Sequence, residues 1–382
     1  MKSWNFDIYD GPKLGFGLMR LPRVDGTNSF RSTTPIDIEQ VKRMVDLFVA
    51  AGGRYFDTAF VYTGSEEAAK AALCDRYPRD SYYLATKLNA SAWACQNAEE
   101  AKSELKTSLE RTGAGYFDFY LLHGIDASNY KRYEDYGLWD YAQEMKREGL
   151  LRHVGFSFHD SPELLDRLLT EHPETEFVQL QINYSDWDDP GVRSQGVYDV
   201  ATRHGKPVIV MEPVKGGILA SPPEKAARIF HETDPQASPA SWAVRFAASL
   251  PNVMVVLSGM SNEEQVNDNL SAMKGFQSLS EREKDTVTRA HEALRSVDMI
   301  PCTGCHYCTT GCPVEMHIPE IFSVMNNYKT YGDLQRAVED YAWRPGGPKA
   351  SACVGCGQCE SACPQHLQIV SLLRSVAETF EK

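Results

Sequence analysis

The chain has 382 residues, 42% hydrophobic and 24% charged, a globular composition that excludes a disordered or fibrous protein and leaves room for a large domain and a small one. With 52 acidic against 39 basic side chains the net charge is −13, and an acidic surface disfavours nucleic acid and anionic membrane as partners. No apolar run reaches the ~18 residues of a membrane span, and Met1 to Asp10 lack the charged-then-apolar order of an export signal, so the expected compartment is the cytoplasm.

From residue 14 to about 260 short apolar runs alternate with longer amphipathic stretches. Leu14–Met19, Arg54–Thr58, Tyr82–Lys87, Phe117–His123, His153–Ser157, Phe177–Ile182, Pro207–Glu212 and Val253–Ser258 read as buried parallel strands, apolar on both faces. Between them Ile36–Ala51, Ala98–Arg111, Pro162–Glu171, Ser238–Ala248 and Asn262–Met273 carry helical periodicity. Eight strand–helix units in ~250 residues predict a closed (β/α)₈ TIM barrel, with Trp4–Tyr9 as a hairpin under its floor. Gly15-Phe-Gly17 opens like a dinucleotide fingerprint, but the third glycine is missing and a loop follows instead of a helix, so a Rossmann fold is set aside.

A further amphipathic helix over 280–300 ends the barrel, and the composition changes at Pro301. The expected domains are 1–298, the barrel, and 299–382, a small and mainly α-helical ferredoxin-like domain with helices around 319–327 and 331–341. Its cysteines fall in two runs, Cys302-x₂-Cys305-x₂-Cys308-x₃-Cys312-Pro and Cys353-x₂-Cys356-x₂-Cys359-x₃-Cys363-Pro. This is the spacing of two-cluster ferredoxins, in which three close cysteines hold one cubane and the fourth reaches the other. One [4Fe–4S] cluster is therefore expected on Cys302, Cys305, Cys308 and Cys363, the second on Cys353, Cys356, Cys359 and Cys312. Paired zinc sites have no use for the repeated third and fourth spacing. His306, His317 and His366 lie near these runs and are read as surroundings rather than ligands.

Chemistry on the barrel is expected at the C-terminal strand ends. Asp57 ends the second predicted strand, with Tyr62 on the loop beyond; Lys87 ends the third and His123 the fourth. A lysine ending an apolar strand needs a partner, and Asp57 is the nearest carboxylate. Lys87 is expected to lower the Tyr62 pKa, making Tyr62 a general acid, while His123 donates a hydrogen bond to the same substrate oxygen. Trp93, Tyr184 and Trp187 fall on loops that can wall a substrate pocket.

Leu14-Gly-Phe-Gly17, the Asp57…Tyr62 pair, Lys87 and His123 resemble the aldo–keto reductases, and with the cysteine tail the chain is similar to members carrying a C-terminal 4Fe-4S dicluster domain. The resemblance implies a catalytic tetrad of Asp57, Tyr62, Lys87 and His123 and an extended NADP or NAD across the barrel mouth. It further implies cofactor contacts at Met19, Ser157 and Gln179, along Met211, Pro213 and Gly216, and at Ser258, Gly259, Ser261, Gln265, Asp268 and Asn269. Two departures stand out. Phe158 and His159 follow Ser157 where many members have asparagine, and Ser258 to Gln265 hold no Lys or Arg to clamp a 2′-phosphate; Lys215 and Lys274 are the nearby cations. The implied function is hydride transfer between nicotinamide and a small carbonyl or alcohol, the clusters serving structure, regulation or docking of a flavoprotein or ferredoxin. The competing reading is an electron-transfer or sensor protein whose barrel binds nucleotide without turnover.

Overall fold

The computed structural model describes residues 6–28, 33–92, 94–189, 192–296, 299–300, 302, 307–363 and 367–382. Trp93, Cys305, His306 and His366 lie outside the described residues. The strands are β1 (Leu14–Gly17), β2 (Tyr55–Asp57), β3 (Tyr83–Leu88), β4 (Phe117–Ile125), β5 (Leu151–Phe158), β6 (Phe177–Gln181), β7 (Val208–Met211) and β8 (Val253–Ser258). Each pairs in parallel with the next, and β8 closes on β1 through Leu14↔Val256, Gly15↔Leu257 and Phe16↔Ser258.

Period-two alternation decides which side chains go where. Tyr55, Ala85, Phe119, Leu121, Phe177, Ile209 and Val255 fill the barrel interior with Tyr9 below them, whereas Phe56, Leu84, Tyr120, Leu122, Val178, Val210 and Val256 pack outward against the helices. Under the floor, Phe6 and Tyr9 form an isolated antiparallel bridge, and the Tyr9 ring lies 5.7 Å edge-on from Tyr55. The surrounding helices begin at side-chain caps that the sequence supplies: Asp37, Asn97, Ser161, Ser238 and Asn262 each accept a hydrogen bond from a first-turn N–H.

By compactness the chain divides into Met1–Ala220 with Gln236–Val287, and Ser221–Pro235 with Thr288–Lys382. The second unit has its own core. Ile321, Phe322, Val324 and Met325 of the helix Ile318–Tyr331 join Tyr341 of Leu334–Trp343 and Leu373, Val376 and Phe380 of Ile369–Phe380. Among the described residues no helix is long and apolar enough to cross a membrane.

Candidate active site

β2 and β3 run side by side with Asp57 opposite Ala85, which sets the Asp57 and Lys87 side chains together at the top of the barrel interior. Lys87 Nζ donates to Asp57 Oδ1 at 2.5 Å and to the Thr58 carbonyl at 2.6 Å, and both side chains are sealed, at 2% and 6% exposure. Burial pushes the Lys87 pKa down and the Asp57 pKa up, and their contact opposes both shifts.

Tyr62 and His123 stand above this pair, each half-buried and so open to the mouth. Their rings meet edge-on with centroids 5.7 Å apart, and Lys87 Nζ lies 5.2 Å from the centre of the Tyr62 ring. His123 Nδ1 has no hydrogen-bond partner among the described residues. Burial first, then the charge of Lys87 and of His159, hold the His123 pKa well below its usual value, so the imidazole is neutral. The sequence reading has Lys87 lowering the Tyr62 pKa; the structure shows the reverse. Burial first, then the charges of Asp57 and Glu212, raise it, and Arg20 only partly opposes them. Tyr62 therefore keeps its proton at neutral pH.

A β-bulge aims His123. The β4–β5 register shifts between Leu122 and Ile125, and Gly124 takes φ 65°, a left-handed conformation that favours glycine. The Gly124 N–H donates to Ser157 Oγ at 2.7 Å. Ser157, expected only as a cofactor contact, thus also holds the turn that follows His123. This bulge is why β4 runs past the predicted His123 to Ile125.

The remaining expected contacts gather at the strand ends. Ser157 lies opposite Gln179, and Gln181 opposite Met211. Beyond Met211 the backbone passes through left-handed Glu212, buried Pro213 and then left-handed Lys215, Gly216 and Gly217. Lys215 pairs with Asp186, which is fully buried and also accepts from Gln181 and Asn183; Asp186 went unnoticed in the sequence, where nothing separates it from Asp188 and Asp189. At β8, Asn269 Nδ2 donates to Ser258 Oγ at 2.9 Å, the Ser261 N–H to Gln265 Oε1 at 2.7 Å, and Ser261 Oγ to the Arg20 carbonyl. Gly259 approaches the Arg20 side chain, and Met19 is half-buried on the turn after β1. Asp268 accepts from Ser238 Oγ at the cap of the helix Pro239–Ala248. Tyr184 and Trp187 pack edge-on against Phe246. Lys274 ends the helix Glu263–Met273.

Gln179 Oε1, Asn269 Oδ1 and His123 Nδ1 are buried polar atoms without hydrogen-bond partners among the described residues. Buried polar atoms are seldom left so, and three of them near the strand ends suit a polar ligand such as a dinucleotide.

In the second unit Cys312, Cys353, Cys356 and Cys359 line one hollow with Val314, Met316, Ile318, Val354, Val370 and Leu373. Three thiols come from the second run and one from the first, the crossed set expected from the spacing. Four thiols around one apolar hollow fit a cubane. Of the other set, Cys308 is buried and Cys302 and Cys363 are half-buried. His317 Nδ1 lies 2.7 Å from the Pro345 carbonyl.

The sequence model of the Aldo/keto reductase family matches residues 13–292, and that of the 4Fe-4S dicluster domain matches residues 301–367. The chain belongs to the aldo/keto reductase family. It is accordingly an NAD(P)-dependent oxidoreductase whose barrel sequence is followed by a 4Fe-4S dicluster domain. Its relatives include an aldo-keto reductase of Strobilurus tenacellus, 28% identical over 235 residues that cover 59% of this chain and 66% of that one. Another, from Mycolicibacterium vanbaalenii, is 29% identical over 58% of this chain and 73% of its own. Among solved structures, an aldo-keto reductase from Bacillus halodurans in its holo form superposes with TM-score 0.58 at 23% identity, over 73% of this chain and 91% of that one. One from Klebsiella pneumoniae in complex with NADPH gives 0.58 at 18% identity, over 74% and 91%. At these identities the likeness is one of fold.

Proposed function

We propose that this reductase catalyses hydride transfer between nicotinamide, as NADP or NAD, and a small carbonyl or alcohol. The observation that carries the reading is the stack at the barrel mouth: Tyr62 edge-on to His123, above the sealed Asp57–Lys87 pair. The cofactor supplies the hydride. Tyr62, kept protonated by burial, gives its proton to the developing alkoxide, and neutral His123 donates a second hydrogen bond to the same oxygen. Lys87, fixed by Asp57, places positive charge beneath the tyrosine ring. Met19, Ser157, Gln179, Met211, Pro213, Gly216, Ser258, Gly259, Ser261, Gln265, Asp268 and Asn269 hold the dinucleotide.

The dicluster domain, from about residue 299, would hold two [4Fe–4S] clusters on the eight cysteines. A cubane passes one electron and a hydride carries two, so the clusters exchange electrons with a partner flavoprotein or ferredoxin, not with the nicotinamide directly. Clustered thiolates and such partners suit the cytoplasm. The test is anaerobic assay of the holoprotein with NADPH and NADH against a panel of aldehydes and ketones. Carbonyl-dependent oxidation of either cofactor is expected. Tight cofactor binding with no turnover of any carbonyl would overturn the reading in favour of a nucleotide-binding sensor.

A further inference from the structure

We propose that Glu66 and Arg111 form a positioning unit that sets Tyr62 and Lys87 from the helix layer behind the barrel. The proposal rests on Tyr62 being the proton donor. Glu66 sits in the short helix Ser65–Ala69, which directly follows the Tyr62 loop, and its carboxylate is 1% exposed. A carboxylate so buried is costly unless paired and hydrogen-bonded. Glu66 Oε1 accepts from Thr86 Oγ1 at 2.7 Å, and Oε2 lies 3.3 Å from Arg111 Nη1. Thr86 immediately precedes Lys87. Alternation along β3 turns Thr86 out to the helices and Lys87 into the barrel, so Glu66 grips from outside the strand whose inner face presents the lysine.

Arg111 carries the grip to the tyrosine loop. Its Nη1 also donates to the Phe60 carbonyl at 3.1 Å, and its guanidinium lies 4.6 Å above the Phe60 ring. On its other side the Phe60 N–H donates to the Lys87 carbonyl at 3.2 Å. The backbone two residues before Tyr62 is thus tied to Lys87 and to Arg111, and Glu66 joins the two ties. Ser65 Oγ completes the frame by donating to the Leu18 carbonyl at 2.9 Å, in contact with Thr58 Oγ1 at 2.7 Å. Glu66 is sealed at 1% exposure and Arg111 sits near the end of the helix Ala98–Thr112, so both act through Tyr62 and Lys87 rather than on substrate.

Arg111 is 34% exposed, so its removal leaves a hole that free guanidinium can enter. The test uses full-length holoprotein with Arg111→Ala and, as the shape-conserving change, Glu66→Gln. A small misplacement of a proton donor costs roughly 10- to 100-fold in rate. In both variants kcat should fall by that factor while cofactor affinity stays unchanged, and amide exchange over residues 59–64 should quicken. Added guanidinium should restore part of the rate of Arg111→Ala. Unchanged kcat in both variants overturns the proposal. So does a kcat loss that follows lost cofactor affinity and resists guanidinium. Should the wild type reduce no carbonyl at all, the exchange measurement still decides whether the loop is pinned, and the proposed reaction fails separately.

Discussion

Tyr62 and His123 meet solvent at the mouth, while Asp57 and Lys87 beneath them do not, and this difference separates what each residue does. A half-buried phenol can hand a proton to a substrate; a sealed ion pair can only fix charge and shape. Tyr62→Phe removes the proton and keeps the ring, so kcat for carbonyl reduction should fall by ~10²-fold or more with cofactor affinity unchanged. Wild-type turnover by that variant would unseat Tyr62 as the acid. Asp57→Asn strips the counter-charge from a buried lysine and should cost about 3–5 kcal/mol of stability, measured by denaturant unfolding. The direction of the Tyr62 and His123 shifts also fixes a pH profile. His123 is depressed and so already neutral above its ordinary pKa of about 6.5; Tyr62 is raised and so still protonated up to its ordinary value of about 10. The reductive kcat should be level across that window, whereas a tyrosine acidified by Lys87 would give a rate that falls above neutrality. Asp57, Lys87 and His123 were legible because each ends a predicted apolar strand where a polar group needs a reason, and Tyr62 because it follows Asp57 on the next loop. The pKa direction was not, since its largest cause is the burial of the phenol, which depends on how the top of the barrel packs around Tyr62.

The helix Ala98–Thr112 shows how an element can carry a polar burden away from the site. Its Glu104 is 2% exposed; Oε2 accepts from the Asn89 N–H at 2.8 Å, and Oε1 has no hydrogen-bond partner among the described residues. Burial pushes its pKa from 4.5 up to about 8. Below 4.5 the folded and unfolded states both hold the proton; between 4.5 and about 8 only the folded state does, so this group's contribution to stability falls as pH rises through that window. Glu104→Gln keeps an acceptor for the Asn89 N–H and removes the titration. The melting temperature of the variant minus that of the wild type should therefore climb between pH 5 and 8; parallel curves would mean that Glu104 ionises normally. Elements of this kind were legible from periodicity: Pro162–Glu171 and Val253–Ser258 have the predicted bounds, and all eight strands are present. Periodicity could not show the turn at Gly124, which depends on the Ser157 hydroxyl one strand away, nor the Glu66–Arg111 link, whose partners lie 45 residues apart.

At the scale of the whole molecule the sequence reading separates a barrel from a cysteine domain at about residue 298, whereas compactness also groups Ser221–Pro235 with Thr288–Lys382. That grouping was illegible, because it joins 221–235, between β7 and β8, to residues from 288 onward, and a cut near 297 would divide the second unit. The dicluster is therefore best tested in the intact chain. Anaerobically purified protein should carry about eight iron and eight sulfide, and stoichiometric zinc without sulfide would overturn the cluster reading. Ligand sharing can then be read from pairs of substitutions. The hollow brings Cys312 together with Cys353, Cys356 and Cys359, although 41 positions separate Cys312 from Cys353 in the sequence (353 minus 312). If these four serve one cubane, Cys312→Ser and Cys353→Ser damage the same cluster, and the double variant should lose little more iron than either single one. Cys312→Ser combined with Cys302→Ser should strip both clusters, because those neighbours in sequence serve different cubanes. If each run instead holds its own cluster, the outcomes exchange: the Cys302/Cys312 pair behaves as one lesion and the Cys312/Cys353 pair as two. Iron content and the electron paramagnetic resonance of the reduced protein distinguish the cases, and crossed ligation stands only if the pair within the hollow is the one that fails to add.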